Sequence, residues 1–136
     1  MKAEGILETC LYVDDLDAAE RFYRDVLGLE PFSRSRGRHV FFRCGPQVFL
    51  VFRPEATRRT DESGPGVPPH GAEGPGHVAF ALNEEDVARW REHLEKNGVG
   101  VETEIAWPAG GYSIYFRDPA GNSVELATPR MWRPEA

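Results

Sequence analysis

With 136 residues, 40% hydrophobic and 28% charged, the chain has the length and composition of one folded domain, which excludes a multidomain enzyme and a wholly disordered polypeptide. Sixteen basic against 22 acidic residues leave a formal charge of -6, which removes the electrostatic attraction that nucleic-acid binding needs. No apolar run is long enough to span a membrane, and the opening MKAEGILETC has no apolar stretch of signal-peptide length after its lysine, so the expectation is a cytoplasmic protein with no membrane partner.

In chain order, residues 6–13 (ILETCLYV) read as a strand in which Glu8, Cys10 and Tyr12 share one face and Thr9, Leu11 and Val13 the other. That arrangement sets a carboxylate among apolar neighbours. From Asp14 the period changes to that of a helix, with Leu16, Ala19, Phe22, Tyr23, Val26 and Leu27 on one face, Asp14 or Asp15 as N-cap and Gly28 as the stop. Strands follow near 30–36, 39–44 and 47–53, the last two joined through Gly45 and Pro46. The segment 54–76 holds 5 Pro and 5 Gly in 23 residues, which argues against any regular element and makes it a linker, either a lid or a connector. Residues 77–82 read as a strand, Asn83 as the cap of a helix carrying Val87, Trp90 and Leu94, and Asn97-Gly98 as its end. Strands near 100–106, 112–117 and 122–127 complete the series, the last two joined by the turn from Asp118 to Asn122.

The order βαβββ thus occurs twice, and two anchors align the copies. The first strands superpose at an offset of 69, which sets Glu8 opposite His77 and Val13 opposite Leu82. The closing hairpins superpose with Leu50 opposite Glu125. The expected fold class is α+β, a single 136-residue domain with module one at 5–53, the linker at 54–76, module two at 77–128 and a C-terminal tail at 129–136. Each copy is near the lower limit for independent folding, so the two are expected to share a core or to pair with another chain.

The paired βαβββ pattern, the run VDDLDAAERFYRDVLGLE, the strand GHVAF and the closing stretch GGYSIYFRDPAGNSVEL together resemble the vicinal oxygen chelate superfamily over about residues 5–128. This is the glyoxalase-like fold, shared with bleomycin- and fosfomycin-resistance proteins and extradiol dioxygenases. The resemblance implies two modules that form a cup-shaped mixed sheet around a cleft, with four inward positions able to hold a divalent metal. Residue by residue those positions are Glu8, Leu50, His77 and Glu125. Leucine cannot coordinate, so Glu8, His77 and Glu125 remain as the metal candidates, and Glu125 or Glu8 as the catalytic base. An imidazole with two carboxylates suits Fe(II), Mn(II), Ni(II) or Zn(II), and no organic cofactor is called for.

Each candidate also has a plainer reading. Glu125 between Val124 and Leu126 could be a structural carboxylate bonded to a neighbouring strand, although in either role it must be paired or protonated. Similarly, His77 could be an ordinary core histidine. Asp118, Pro119, Gly121 and Asn122 are read as turn chemistry, Cys10 and Cys44 as reduced packing residues, and Arg34, Arg36 and Arg38 as a solvated edge that blocks strand pairing. Gly110 and Gly111 stand at the rim of the implied cleft. No partner for His39, His70 or His93 is readable.

The leading functional expectation is a divalent-metal-dependent lyase or isomerase acting on a small-molecule substrate with vicinal oxygens, in which one carboxylate moves the proton α to a carbonyl. An extradiol-type dioxygenase fits less well, because its two-histidine set would need a histidine where Glu8 stands. The alternative of another class is a metal-free bleomycin-resistance-type binding protein, with Phe41, Phe42, Phe49, Phe52, Trp107, Tyr112 and Tyr115 as candidate cleft aromatics. A homodimer is expected, with Trp132 on the tail as a contact residue.

Overall fold

Period-two alternation along eight short segments produces two four-stranded sheets, each carrying a helix from the same repeat. The computed structural model describes residues 1–59 and 65–133. The first repeat runs β1 (Glu8–Tyr12), α1 (Leu16–Asp25), β2 (Glu30–Ser35), β3 (His39–Cys44) and β4 (Gln47–Phe52), followed by a single helical turn, α2 (Pro54–Thr57). The second runs β5 (His77–Ala81), a 3-10 turn (Glu84–Asp86), α3 (Val87–Lys96), β6 (Thr103–Ala106), β7 (Tyr112–Arg117) and β8 (Ser123–Ala127), closed by a 3-10 turn (Pro129–Met131). The fold is α+β, as expected. Two compact units result, Met1–Gly74 and Pro75–Ala136, and their boundary falls near the end of the expected linker.

The sheets have the same topology. Strand order is β1-β4-β3-β2 in one and β5-β8-β7-β6 in the other, with the outer pair parallel and the rest antiparallel. The ladders match residue for residue: Cys10 lies opposite Leu50 and Leu50 opposite Phe41, while Ala79 lies opposite Glu125 and Glu125 opposite Tyr115. Glu8 and His77 each stand two residues before the first member of those rows. The alignment of the copies read from sequence is therefore the register of the sheets.

One face of each sheet is core. In the first unit Leu11, Val40, Phe42, Phe49 and Val51 are buried, and Tyr23 of α1, fully buried, meets Phe49 edge-on at 4.8 Å between ring centroids. In the second, Ile114, Phe116, Val124, Leu126 and Leu94 of α3 are buried. Helix α1 starts as read, since the Asp15 carboxylate accepts from the Ala18 N–H at 3.0 Å. It ends at Gly28, whose φ of +69° lets Leu29 N–H reach back to the Tyr23 carbonyl at 3.0 Å.

Three expectations are corrected. The linker is not devoid of regular structure, because Pro54 at the first helical position pre-sets φ for the turn α2. Within 54–76, residues 60–64 lie outside the described residues, as do 134–136 of the tail. Cys10 and Cys44 are both free thiols, but Cys10 is exposed on the open face of β1 and is not a packing residue. The three arginines do not act together: Arg34 on edge strand β2 pairs with Glu20, Arg36 lies in the following turn, and Arg38 lies against the Phe52 ring.

Candidate functional site

The face of the second sheet away from its core carries a compact polar cluster around Glu125, which is 4% exposed. Ser113, opposite Ala127 on β7, donates to Glu125 Oε2 at 2.6 Å and accepts from Trp107 Nε1–H at 2.8 Å. The other oxygen, Oε1, faces His77 Nε2 at 3.2 Å. The His77 ring is oriented from behind: Nδ1 lies 3.1 Å from the Ser123 carbonyl, which can only accept, so Nδ1 carries the proton. With its proton on Nδ1, the ring presents Nε2 toward a carboxylate oxygen, an arrangement that a shared cation would satisfy. Tyr115, opposite Glu125 on the β7-β8 ladder, completes the cluster, with its phenol directed to the carboxylate. Burial and the adjacent carboxylate push that phenol above its ordinary value, so it is a proton-bearing donor at neutral pH.

In the first unit the equivalent face is a pocket of about 750 Å3. Phe52 is its hub, edge-on to Phe41 at 5.4 Å and to His70 at 4.9 Å between centroids. His39 stacks flat on Phe41, 3.8 Å apart and 11° from parallel. Arg38 donates to His39 Nδ1 at 2.7 Å, so the neutral ring carries its proton on Nε2, which lies 3.4 Å from Ser33 Oγ. Burial first, and then the Arg38 charge, hold His39 below the usual imidazole value. One side of the pocket is built by the proline-rich segment itself. His70 N–H donates to the Thr57 carbonyl at 2.9 Å, and the Tyr12 hydroxyl lies 2.6 Å from His70 Nδ1, which pins Pro65, Val67 and Pro68 along the opening.

The structure brings His77 and Glu125 together. Glu8 lies on the first unit's pocket, is exposed, and has no hydrogen bond or ion pair among the described residues, so it is not enclosed by apolar neighbours as the alternation implied. Among the described residues no group of three or more His, Cys, Asp or Glu side chains is gathered in a way that could hold a metal ion. The donor chemistry that is present nonetheless fits one: a buried carboxylate facing an imidazole nitrogen whose partner N–H is bonded to a backbone carbonyl is the usual orientation of a ligating histidine. Sequence reading missed Ser113, and it placed Trp107 and Tyr115 only among general cleft aromatics; the period-two spacing of Ser113 and Tyr115 on β7, beside Glu125 on β8, was the available signal. Asp118 behaves as read, its Oδ1 accepting from the Ala120 and Asn122 N–H groups.

A family model, described as the Glyoxalase/Bleomycin resistance protein/Dioxygenase superfamily, matches residues 5–126. The chain belongs to this superfamily. Among solved structures, this superfamily member is similar to a lactoylglutathione lyase from Agrobacterium tumefaciens, at 47% identity and a TM-score of 0.91 over 97% of this chain and 98% of that one. Among curated proteins it is 32% identical over 117 residues to a glutathione transferase, FosA, of Serratia marcescens, covering 85% of this chain and 74% of the relative. It is also 26% identical to a metallothiol transferase, FosB, of Staphylococcus epidermidis, over 94% of this chain and 84% of the relative. Among the described residues no helix is long and apolar enough to cross a membrane.

Proposed function

We propose that this protein is a divalent-metal-dependent, glyoxalase-like lyase or isomerase acting on a small substrate with vicinal oxygens. The observation that carries the reading is the His77 Nε2 to Glu125 Oε1 approach of 3.2 Å, with Nδ1 and Oε2 already committed to Ser123 and Ser113. The relatives named as metallothiol transferase, glutathione transferase and lactoylglutathione lyase support enzyme chemistry on small molecules. His77 and Glu125 would hold the ion, Fe, Mn, Ni or Zn by donor type, and it would supply Lewis-acid stabilisation of negative charge on substrate oxygen. Of the two carboxylates, Glu125 is held at both oxygens and serves as a fixed ligand. Glu8 is the less constrained and is the base that takes the proton α to the carbonyl. Tyr115, kept protonated beside Glu125, directs its one phenol proton to that carboxylate and so orients it. In this reading the whole chain is one functional domain.

A second reading, a metal-free binding protein, is favoured by the aromatic pocket of the first unit. Elemental analysis of the full chain, purified without chelator or affinity tag, separates the two. Near-stoichiometric metal that is lost in His77→Ala and in Glu125→Ala is the expected result. Metal-free protein, also unable to take up Fe, Mn, Ni or Zn on dialysis, overturns the enzyme reading and leaves the binding protein.

A further inference from the structure

The two sheets share one register, yet their open faces differ in chemistry. At matched positions the second unit carries Ala81, Ala127, Ser113 and Tyr115 where the first carries Tyr12, Phe52, His39 and Phe41. One face is thus small and polar beside its carboxylate, and the other is paved with rings.

The paved face is also polarised along the strands. Tyr12, Phe52 and His39 lie in one row of the ladder, and Arg38 stands beside that row with its guanidinium carbon 5.4 Å from the Phe52 centroid. Glu8 lies four residues back along β1, about 13 Å away at the rise of an extended strand. Arg38 and Arg59 both line the pocket, and neither has a carboxylate partner among the described residues. Cationic side chains at one end, flat rings between and an unpaired carboxylate at the other end select for charge, shape and direction together.

We propose that the first unit's pocket binds a planar aryl carboxylate, its ring on the Phe41-Phe52 floor and its carboxylate at Arg38, with Arg59 contributing at the rim. The His39-Phe41 stack supplies a fixed flat surface, and His39 itself adds no charge because it is held neutral. A guanidinium fork matches a carboxylate geometrically, and a ring face is best covered by another ring. A volume of about 750 Å3 lies within the range of small-molecule sites and accommodates a ring with a substituent pointing toward Glu8. As the substrate class of the enzyme proposed above, this rests on that reading, because it sets the far end of the ligand toward the base.

The test uses chelator-treated full-length protein, so that metal plays no part, with benzoate, cyclohexanecarboxylate and benzyl alcohol as probes in calorimetric titration. Benzoate is expected to bind at least about tenfold more tightly than either of the others, which lack the planar aromatic ring or the charge. Arg38→Gln is expected to weaken benzoate about tenfold and benzyl alcohol hardly at all. Should Arg38→Gln lose its native circular dichroism, Arg59→Gln gives the same comparison at the exposed rim, with a smaller drop. Equal affinity for benzoate and benzyl alcohol, no detectable benzoate binding, or benzoate affinity unchanged in a folded arginine variant overturns the proposal. Benzoate binding by a protein that takes up no metal leaves the pocket standing while the enzyme reading falls, and metal uptake without benzoate binding does the reverse.

Discussion

Glu125 illustrates how a single buried carboxylate is made tolerable. An unpaired charge at this depth costs several kcal/mol, roughly, and here three side chains from neighbouring segments share the compensation. Ser113 has a double task, since its hydroxyl donates to Oε2 while accepting from Trp107. Ser113→Ala strands one buried acceptor and one donor at once, with Tyr115 able to relieve only the carboxylate. We expect a loss of about 2 kcal/mol, read as a lower urea midpoint at unchanged slope. A variant as stable as the parent would show that the Trp107-Ser113-Glu125 chain does not brace the site. At this scale the sequence was legible where a residue was chemically unusual for its place. Glu125 between Val124 and Leu126 and His77 at a strand start both stood out; Ser113 did not, because a serine in a strand looks the same whether it braces a carboxylate or fills space. The Tyr12-His70 bond spans 58 residues and carries no local pattern at all.

Elements were more legible than residues, because periodicity accumulates over several positions. All eight strands and both long helices lie where alternation and helical spacing placed them, with ends trimmed by at most three residues. The short turn α2 was illegible, since one proline-initiated turn within a Pro/Gly-rich segment has no period to detect. The loop before β7 had an open role for Gly110 and Gly111, and the structure supplies it. Gly111 has a φ of +101°, and a Cβ there would lie 2.9 Å from Met131 N and from Thr128 Oγ1, the atom that accepts the Tyr112 N–H. Gly110 has a φ of +105° but would meet only the Arg130 side chain, at 3.2 Å. Both substitutions are strained by φ, and only one also drives into backbone. Gly111→Ala is therefore expected to cost more than Gly110→Ala, about 3 against about 1–2 kcal/mol in chemical denaturation. The reverse order would mean that the loop does not pack on the terminal turn as described.

At the scale of the molecule, two copies of one topology have kept their register and divided their chemistry, polar and carboxylate-bearing in the second unit, aromatic in the first. Repetition was legible because the first strands and the closing hairpins fixed two anchors; what each face does depends on residues that no repeat pattern constrains. Each unit also leaves apolar surface uncovered. Trp132 is 82% exposed on the terminal turn, so it does not fold back on its own chain, and Ile6 and Leu7 are 77% and 76% exposed just ahead of edge strand β1. An exposed strand edge flanked by apolar side chains favours pairing with another chain, and closed twofold symmetry satisfies both copies with one kind of contact. We therefore expect a homodimer. Sedimentation at micromolar concentration should give twice the chain mass, and Trp132→Ala should shift the equilibrium toward the single chain if the tail contributes. A lone 15.3 kDa species at every concentration defeats this expectation and requires that Ile6, Leu7 and Trp132 be exposed for some other reason.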